Sequence, residues 1–466
     1  MTPGKRWNAR GGYKEALNIG LPLVVSMISN TVITFTDRIF LGNYSLEALG
    51  ASLPASIVAF LFLSFFMGVT EYVNVFIAQY TGACRHRDVG RALWQGLWFC
   101  IPTGLLLASL WFVAEPLFRL GGHPAEIQRL EVIYFKILTL GSLPFLIGLC
   151  LSNFFAGRGL TKPVMLISLG SIFINVPLDY CLINGFGPFP EMGIAGAGIA
   201  SVVGFTVPLV VYSLLIFTRR NEATFNVVSG WRFDRGLFGR FLRFGLPGGV
   251  QFFLDMFAVS FFVFIVGRFG PVELASTSAV FSIYNLAFLP TIGLHVAASI
   301  MVGQAMGDKK PDRAAFATHS VLHLALAYMG VMAVIFWVMP EFLLNLFRAR
   351  GDAGAGFADV LVMGEILMRY AAAFTLIDAV AIVYMGGLKG AGDTRFIMAV
   401  MGTSSILCIV APLLVMNLLG MTDINGPWIF LLLYVVVLAS TFMLRFRRGP
   451  WRRIDLIGRS DKPERC

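Results

Sequence analysis

The sequence predicts an all-α membrane protein, with twelve transmembrane helices in two pseudo-symmetric bundles of six. Three observations predict it. Of the 466 residues, 57% are hydrophobic and only 13% charged, against roughly 25% charged in soluble domains, and the mean hydropathy is +0.78. Apolar stretches near the ~20 residues that cross a bilayer as a helix recur along the chain. The halves also repeat: "GLPLVVSMISN" from Gly20 is echoed by "GLPGGVQFFLD" from Gly245, and "QYTG" from Gln79 by "QAMG" from Gln304. The short alternating segments of a β-barrel are absent.

The predicted spans are 17–41, 52–80, 93–114, 133–156, 163–184 and 194–217 in the first half. In the second they are 244–266, 279–305, 315–340, 364–388, 396–419 and 427–445. With this count, 28 of the 36 Lys and Arg residues fall in or beside segments on one side of the membrane. That is the positive-inside pattern, and it puts both termini in the cytoplasm. It also explains the net charge of +10 without nucleic acid. The basic link "TRRNEATFNVVSGWRFDRGLFGR" divides an N-lobe (1–217) from a C-lobe (241–446), with the link at 218–240 and a basic cytoplasmic tail at 447–466. Six spans per half give both repeats one orientation, so their axis lies along the membrane normal. Two such lobes around a cavity suit alternating access. The basic start "GKRWNARGGYK" runs into a full-length span without a cleavage pattern. Cys84, Cys100, Cys150, Cys181, Cys408 and Cys466 lack metal spacing and read mostly as small core residues.

Acids inside the spans need a reason, because a carboxylate at membrane depth costs at least ~2.5 kcal/mol. Asp37, Asp179, Asp255 and Asp378 lie well inside, and Glu71 is a fifth. In span 1, Ser26, Asn30, Thr34 and Asp37 follow at steps of four, four and three, on one helical face. Span 5 reads "INVPLDY", with Asn175 and Asp179 four apart. Pro177 between them removes a backbone hydrogen bond, which predicts a bend and a hinge. Span 6 opens "GIAGAGIASV"; Gly193, Ala197, Gly198 and Ser201 allow close helix approach, and Ser201 offers a hydroxyl.

If spans 1 and 5 face each other, Asp37, Asn175, Asp179 and Ser201 share one pocket. Two carboxylates there cannot easily both ionise, so the pair takes a proton or a hard cation. This reads as a coupling-ion site, with Pro177 a bend that responds to its occupancy. A single buried Asp can also serve only to tie helices together; the coincidence of two polar faces favours the ion site. For Glu71 the two readings balance. Asp255 and Asp378, in more uniformly apolar spans, are candidate acids of the second half. His295, His319 and His323 read as structural or interfacial. Most of the 43 Phe and 19 Met belong to ordinary packing. A share could line an adaptable cavity for flat organic cations.

No P-loop, HExxH or GxSxG is present, so neither an enzyme nor a nucleotide-driven pump is indicated. Any transport would be secondary and need no cofactor beyond the coupling ion. The outer loops are short, apart from about twenty residues near 341–363, which leaves little room for a receptor ectodomain.

The stretches "GLPLVVSMISNTVITFTDRIFLG", "FFAGRGLTKPVM", "NVPLDY" followed by "GIAGAGIAS", and "GGLKGAGDTR" together resemble the multidrug and toxic compound extrusion (MATE) family, closest in motif to its DinF-like branch. The resemblance implies a V-shaped, monomeric antiporter in the bacterial cytoplasmic (inner) membrane. It would expel small organic cations in exchange for H+ or Na+. It implies an N-lobe ion site at Asp37, Asn175 and Asp179, which would be the ligands if the ion is Na+. It also implies cavity residues at Asn30 and Asn153, to which Thr34 is added on the span 1 face. Ser201 stands near a position where that branch often has Thr. The NorM-like branch has acids in spans 7 and 10, which fall on Asp255, where Glu is usual, and on Asp378. Flippases of lipid-linked precursors belong to the same superfamily; the mostly acidic buried charges here favour cationic cargo instead.

Overall fold

Each long apolar stretch satisfies its own backbone hydrogen bonds by coiling, the route open to a single segment in lipid. The structure, a computed structural model, describes residues 3–347, 355–421 and 423–458. Cys466 and the middle of the 341–363 stretch lie outside them. Twelve helices among these residues are long and apolar enough to span a membrane. They are α1 (Tyr13–Tyr44), α2 (Leu46–Gly82), α3 (His86–Arg119), α4 (Ala125–Ala156), α5 (Thr161–Asn184) and α6 (Ile194–Ile216), then α7 (Arg235–Val266), α8 (Pro271–Gly307), α9 (Pro311–Val338), α10 (Phe357–Ala391), α11 (Thr394–Leu418) and α12 (Asn425–Arg448). They match the predicted spans one for one, and the chain is a multi-pass membrane protein.

Several helices start earlier than their apolar cores. α4 begins at Ala125 rather than 133, and α7 at Arg235 rather than 244. Hydropathy marks the hydrocarbon layer, whereas a helix continues beyond it for as long as its i→i−4 bonds hold. α5 runs unbroken through Pro177, and α11 carries a π-helical turn at Ile406–Val410.

The chain forms two compact units. One holds Pro22–Val250, Gly307–Lys309 and the tail from Leu456; the other holds Met1–Leu21, Gln251–Met306 and Lys310–Asp455. In the first, α4 packs against α2, α3 and α6, and α5 packs against α6. Small residues set these approaches. A Cβ on Gly198 of α6 would meet Ile137 of α4 at 3.0 Å. The ends of α1, α5 and α6 are tied together. Ser45 caps α2 directly after α1, accepting from the Ala48 N–H. Gly185 ends α5 in the left-handed conformation. The following loop folds back, with Met192 N–H donating to the Leu182 carbonyl at 3.0 Å and Tyr44 donating to Glu191 at 2.9 Å. Gly193, at φ +53°, lies so close to the Tyr44 ring that a Cβ would sit 2.7 Å from it.

The basic link is structured as well. It contains a helix, Arg219–Phe225, capped by Thr218. Trp94 and Trp98 of α3 donate to the Val227 and Trp231 carbonyls at 2.6 and 2.8 Å.

Candidate coupling-ion site

Asp37 lies seven residues before the end of α1, Asp179 five before the end of α5, and Ser201 seven after the start of α6. At 1.5 Å per residue these are depths of about 10, 8 and 10 Å. The alternation of the spans places all three at the same end of the bundle. The tied helix ends just described therefore bring the three side chains to one level.

There they meet. Ser201 Oγ donates to Asp37 Oδ2 at 3.1 Å. The Asp37 and Asp179 carboxyls lie side by side, near enough for a hydrogen bond once either carries a proton. Asn175 is fully buried one turn before Asp179, and its amide donates to the Ala200 carbonyl at 3.1 Å. Gly204 makes room for that amide, since a Cβ there would lie 3.3 Å from Asn175 Nδ2. Asp37 and Asp179 are 6% and 0% exposed. Asp37 achieves this on a helix whose residues Asn30, Thr34, Phe35 and Arg38 are all exposed. Its burial thus comes from this one contact face.

Four oxygens in the cluster meet no N–H or O–H among the described residues: Asp37 Oδ1, both Asp179 oxygens and Asn175 Oδ1. A buried carboxylate without donors is expensive, and two unit charges about 4 Å apart repel by about 4 kcal/mol at an effective dielectric near 20. Converging, unsatisfied oxygens remove both penalties by binding one positive ion, either a proton shared by the carboxyls or a hard metal cation.

The site has a member that sequence reasoning missed. Tyr134 of α4 is buried, and its hydroxyl lies beside those of Ser56 and Ser201. A Tyr is unremarkable in a membrane helix; only the i, i+3 pairing of Glu131 with Tyr134 in "EVIYF" could have drawn notice. An apolar layer closes the site toward the helix ends. Leu41, Ile183 and Ala197 each stand four residues from Asp37, Asp179 and Ser201, and they join Phe118, Val132 and Phe135.

The remaining predicted residues lie elsewhere. Asn30 and Thr34 are exposed on α1, and Thr34 donates to the Asn30 carbonyl. Asn153 is buried and donates to the Thr70 carbonyl of α2 at 3.1 Å. It is 19 residues beyond Tyr134, about 28 Å along α4, and so ties two helices at a distance from the carboxyl pair. Glu71 is half-buried in α2. In the second unit, Asp255 of α7 and Asp378 of α10 are half-buried. Tyr284 of α8 donates to Asp378 Oδ2 at 2.5 Å. Asp255 is within electrostatic reach of both, and of Tyr434 on α12.

The chain matches the MatE family over residues 22–181 and 247–414. It is 27% identical over 456 residues to the probable multidrug resistance protein NorM of Brucella suis biovar 1 (strain 1330), covering 96% of this chain and 95% of that one. With the protein of the same name from Rhizobium meliloti (strain 1021) it shares 28% over 388 residues, 82% of each. In three dimensions it resembles an outward-facing multidrug resistance MATE family transporter of the MOP superfamily. The TM-score is 0.86 at 17% identity, covering 97% of this chain and 99% of that one; at that identity the likeness speaks for the fold. The matched family segments take in most of both halves, and the chain belongs to the MatE family of membrane transporters.

Proposed function

We propose that the chain is a secondary active transporter that exports small organic cations, drugs among them, in exchange for H+ or Na+ across the bacterial inner membrane. Asp37 and Asp179 load the coupling ion, with Asn175 and Ser201 completing its oxygen shell. For Na+, Asp37, Asn175 and Asp179 are the ligands. Pro177, between Asn175 and Asp179, frees the Phe173 carbonyl and gives α5 a place to bend as the ion comes and goes. Asn30 and Thr34 face the cavity that holds the cargo.

The observation that carries this reading is the buried carboxyl pair, three of whose four oxygens meet no donor among the described residues. The NorM relatives' names supply the drug class. Among the described residues the fully buried charged side chains include acids but no Lys or Arg, which suits cationic rather than anionic cargo.

The test is export of ethidium from proteoliposomes under separately imposed pH and Na+ gradients. Wild type should respond to at least one gradient, and D37N and D179N to neither, while all three purify with the same thermal stability. Undiminished gradient-driven export in both variants would overturn the assignment.

A further inference from the structure

Four acidic side chains are buried among the described residues: Asp37, Asp179, Asp393 and Glu131. The first two form the ion site. Asp393 is held by Arg445, whose Nε and Nη2 donate at 2.8 and 3.3 Å. Glu131 is the one left over. It is fully buried two turns into α4, next in sequence to Val132 of the apolar layer that closes the ion site. Its Oε1 meets Nδ1 of His123 at 2.7 Å, and its Oε2 has no partner. His123 stands in the loop before α4, with its side chain 42% exposed.

The other charged groups on the surrounding elements are engaged or exposed. Lys136 pairs with Glu115 at 3.0 Å, and Arg119, Glu126 and Arg129 are exposed. His123 is therefore the side-chain partner the structure gives Glu131. One helical turn further, about 4.5 Å along α4, comes Tyr134, whose hydroxyl adjoins that of Ser201.

We propose that His123 and Glu131 form the proton port of the ion site, joining the water at the helix ends to the Tyr134–Ser201–Asp37 hydroxyl chain. His123 takes a proton from water at Nε2 and releases the one at Nδ1 to Glu131; a flip of the ring then turns the remaining N–H back toward Glu131 and resets the carrier. The protonated Glu131 carboxyl turns its O–H inward across the turn. Tyr134 and then Ser201 each accept one proton and pass on their own, and Asp37 receives it. The net result is one proton moved from water to the carboxyl pair, with Glu131 again a carboxylate. The apolar layer keeps other ions from this route.

This rests on the coupling reading above and narrows it to H+, and its test separates the two. In pH-driven ethidium export, His123→Ala should slow turnover about tenfold while the KM for ethidium stays put. Millimolar imidazole should restore the rate, because it replaces the missing shuttle at an exposed position. E131Q should be slower still and gain nothing from imidazole. If E131Q does not fold by thermal unfolding, His123→Ala carries the test alone. Wild-type turnover in His123→Ala, or a loss that imidazole does not repair, overturns the port. So does export driven by Na+ alone and deaf to pH. In these cases the coupling site still stands if D37N and D179N are inactive.

Discussion

Gly20 of α1 and Gly245 of α7 open the same repeated stretch, yet Asn30 stands where Asp255 does. The first half places its acid seven residues further on, at Asp37, about 10 Å along the helix. The partner acids also come from different places in the repeat, Asp179 from the fifth helix of its half and Asp378 from the fourth. Their surroundings differ more. Asp179 is wholly buried and neither oxygen has a donor. Asp378 is half-buried and accepts a 2.5 Å hydrogen bond from Tyr284. A carboxylate that receives a neutral donor can rest ionised; one that receives none beside a second carboxylate requires a positive ion. The duplicated scaffold therefore carries two acid clusters, and the donors they receive differ.

The most severe way to break this contrast is to neutralise one acid from each half. Asp179→Asn should cut gradient-driven export by about a hundredfold or more, with thermal stability unchanged or slightly raised because a buried charge is gone. Asp378→Asn should cost less, about three- to tenfold. Equal losses, measured as turnover in the same proteoliposomes, would show that both halves couple.

The contrast was half legible in the sequence, and the line falls on physical grounds. Asp37, Asn175 and Asp179 could be read because a polar group in oil is costly and an i, i+4 spacing fixes its face. Ser201 followed from its setting among small residues. Tyr134 and Tyr284 could not be read, since a tyrosine costs little in a membrane helix and only tertiary contact reveals its partner. Glu131 was hidden by the start of span 4 at 133; the helix begins at Ala125, beyond the edge that hydropathy can mark. Asn153, read as a cavity residue, has its amide turned to a backbone carbonyl on α2.

Donor removal gives a smaller and sharper test. Tyr284→Phe strips Asp378 of its neutral donor and makes the second site resemble the first. Ser201→Ala removes the one neutral hydroxyl on Asp37. Either donor favours the empty, ionised site, by about 1.5 kcal/mol for a bond to a charged group. Each variant should therefore hold a proton up to about tenfold more tightly, and release it more slowly, whereas Ser201→Ala, which also takes an oxygen from the shell of a metal ion, should hold Na+ less tightly. Ion-dependent quenching of intrinsic fluorescence, titrated with H+ and with Na+, measures this. Tighter binding in Tyr284→Phe but no change in Ser201→Ala would reverse the ranking of the two sites.

The smallest effect comes from an acid that never leaves water. Glu222, in the link, accepts from the Ser229 hydroxyl at 2.6 Å and from the Val228 and Ser229 N–H groups at 2.5 and 3.2 Å. The Ser229 hydroxyl first, and then the Val228 N–H, hold its carboxyl below the usual range. A depressed value means the folded link prefers the ionised form. Its contribution is complete above the ordinary value of 4.5 and fades as the pH falls through the depressed one. Because the group is exposed, solvent screens most of the gain. Amide hydrogen exchange at Val228 and Ser229 should thus show protection at neutral pH that weakens below about pH 4.5, and Glu222→Gln should flatten that dependence without altering export. The carboxyl pair in α1 and α5 has the Ser201 hydroxyl as its one donor, which leaves three of its four oxygens without any. If Glu222→Gln slowed export as much as Ser201→Ala, the link would belong to the transport cycle, and the division between donor-satisfied and ion-satisfied acids would no longer track function.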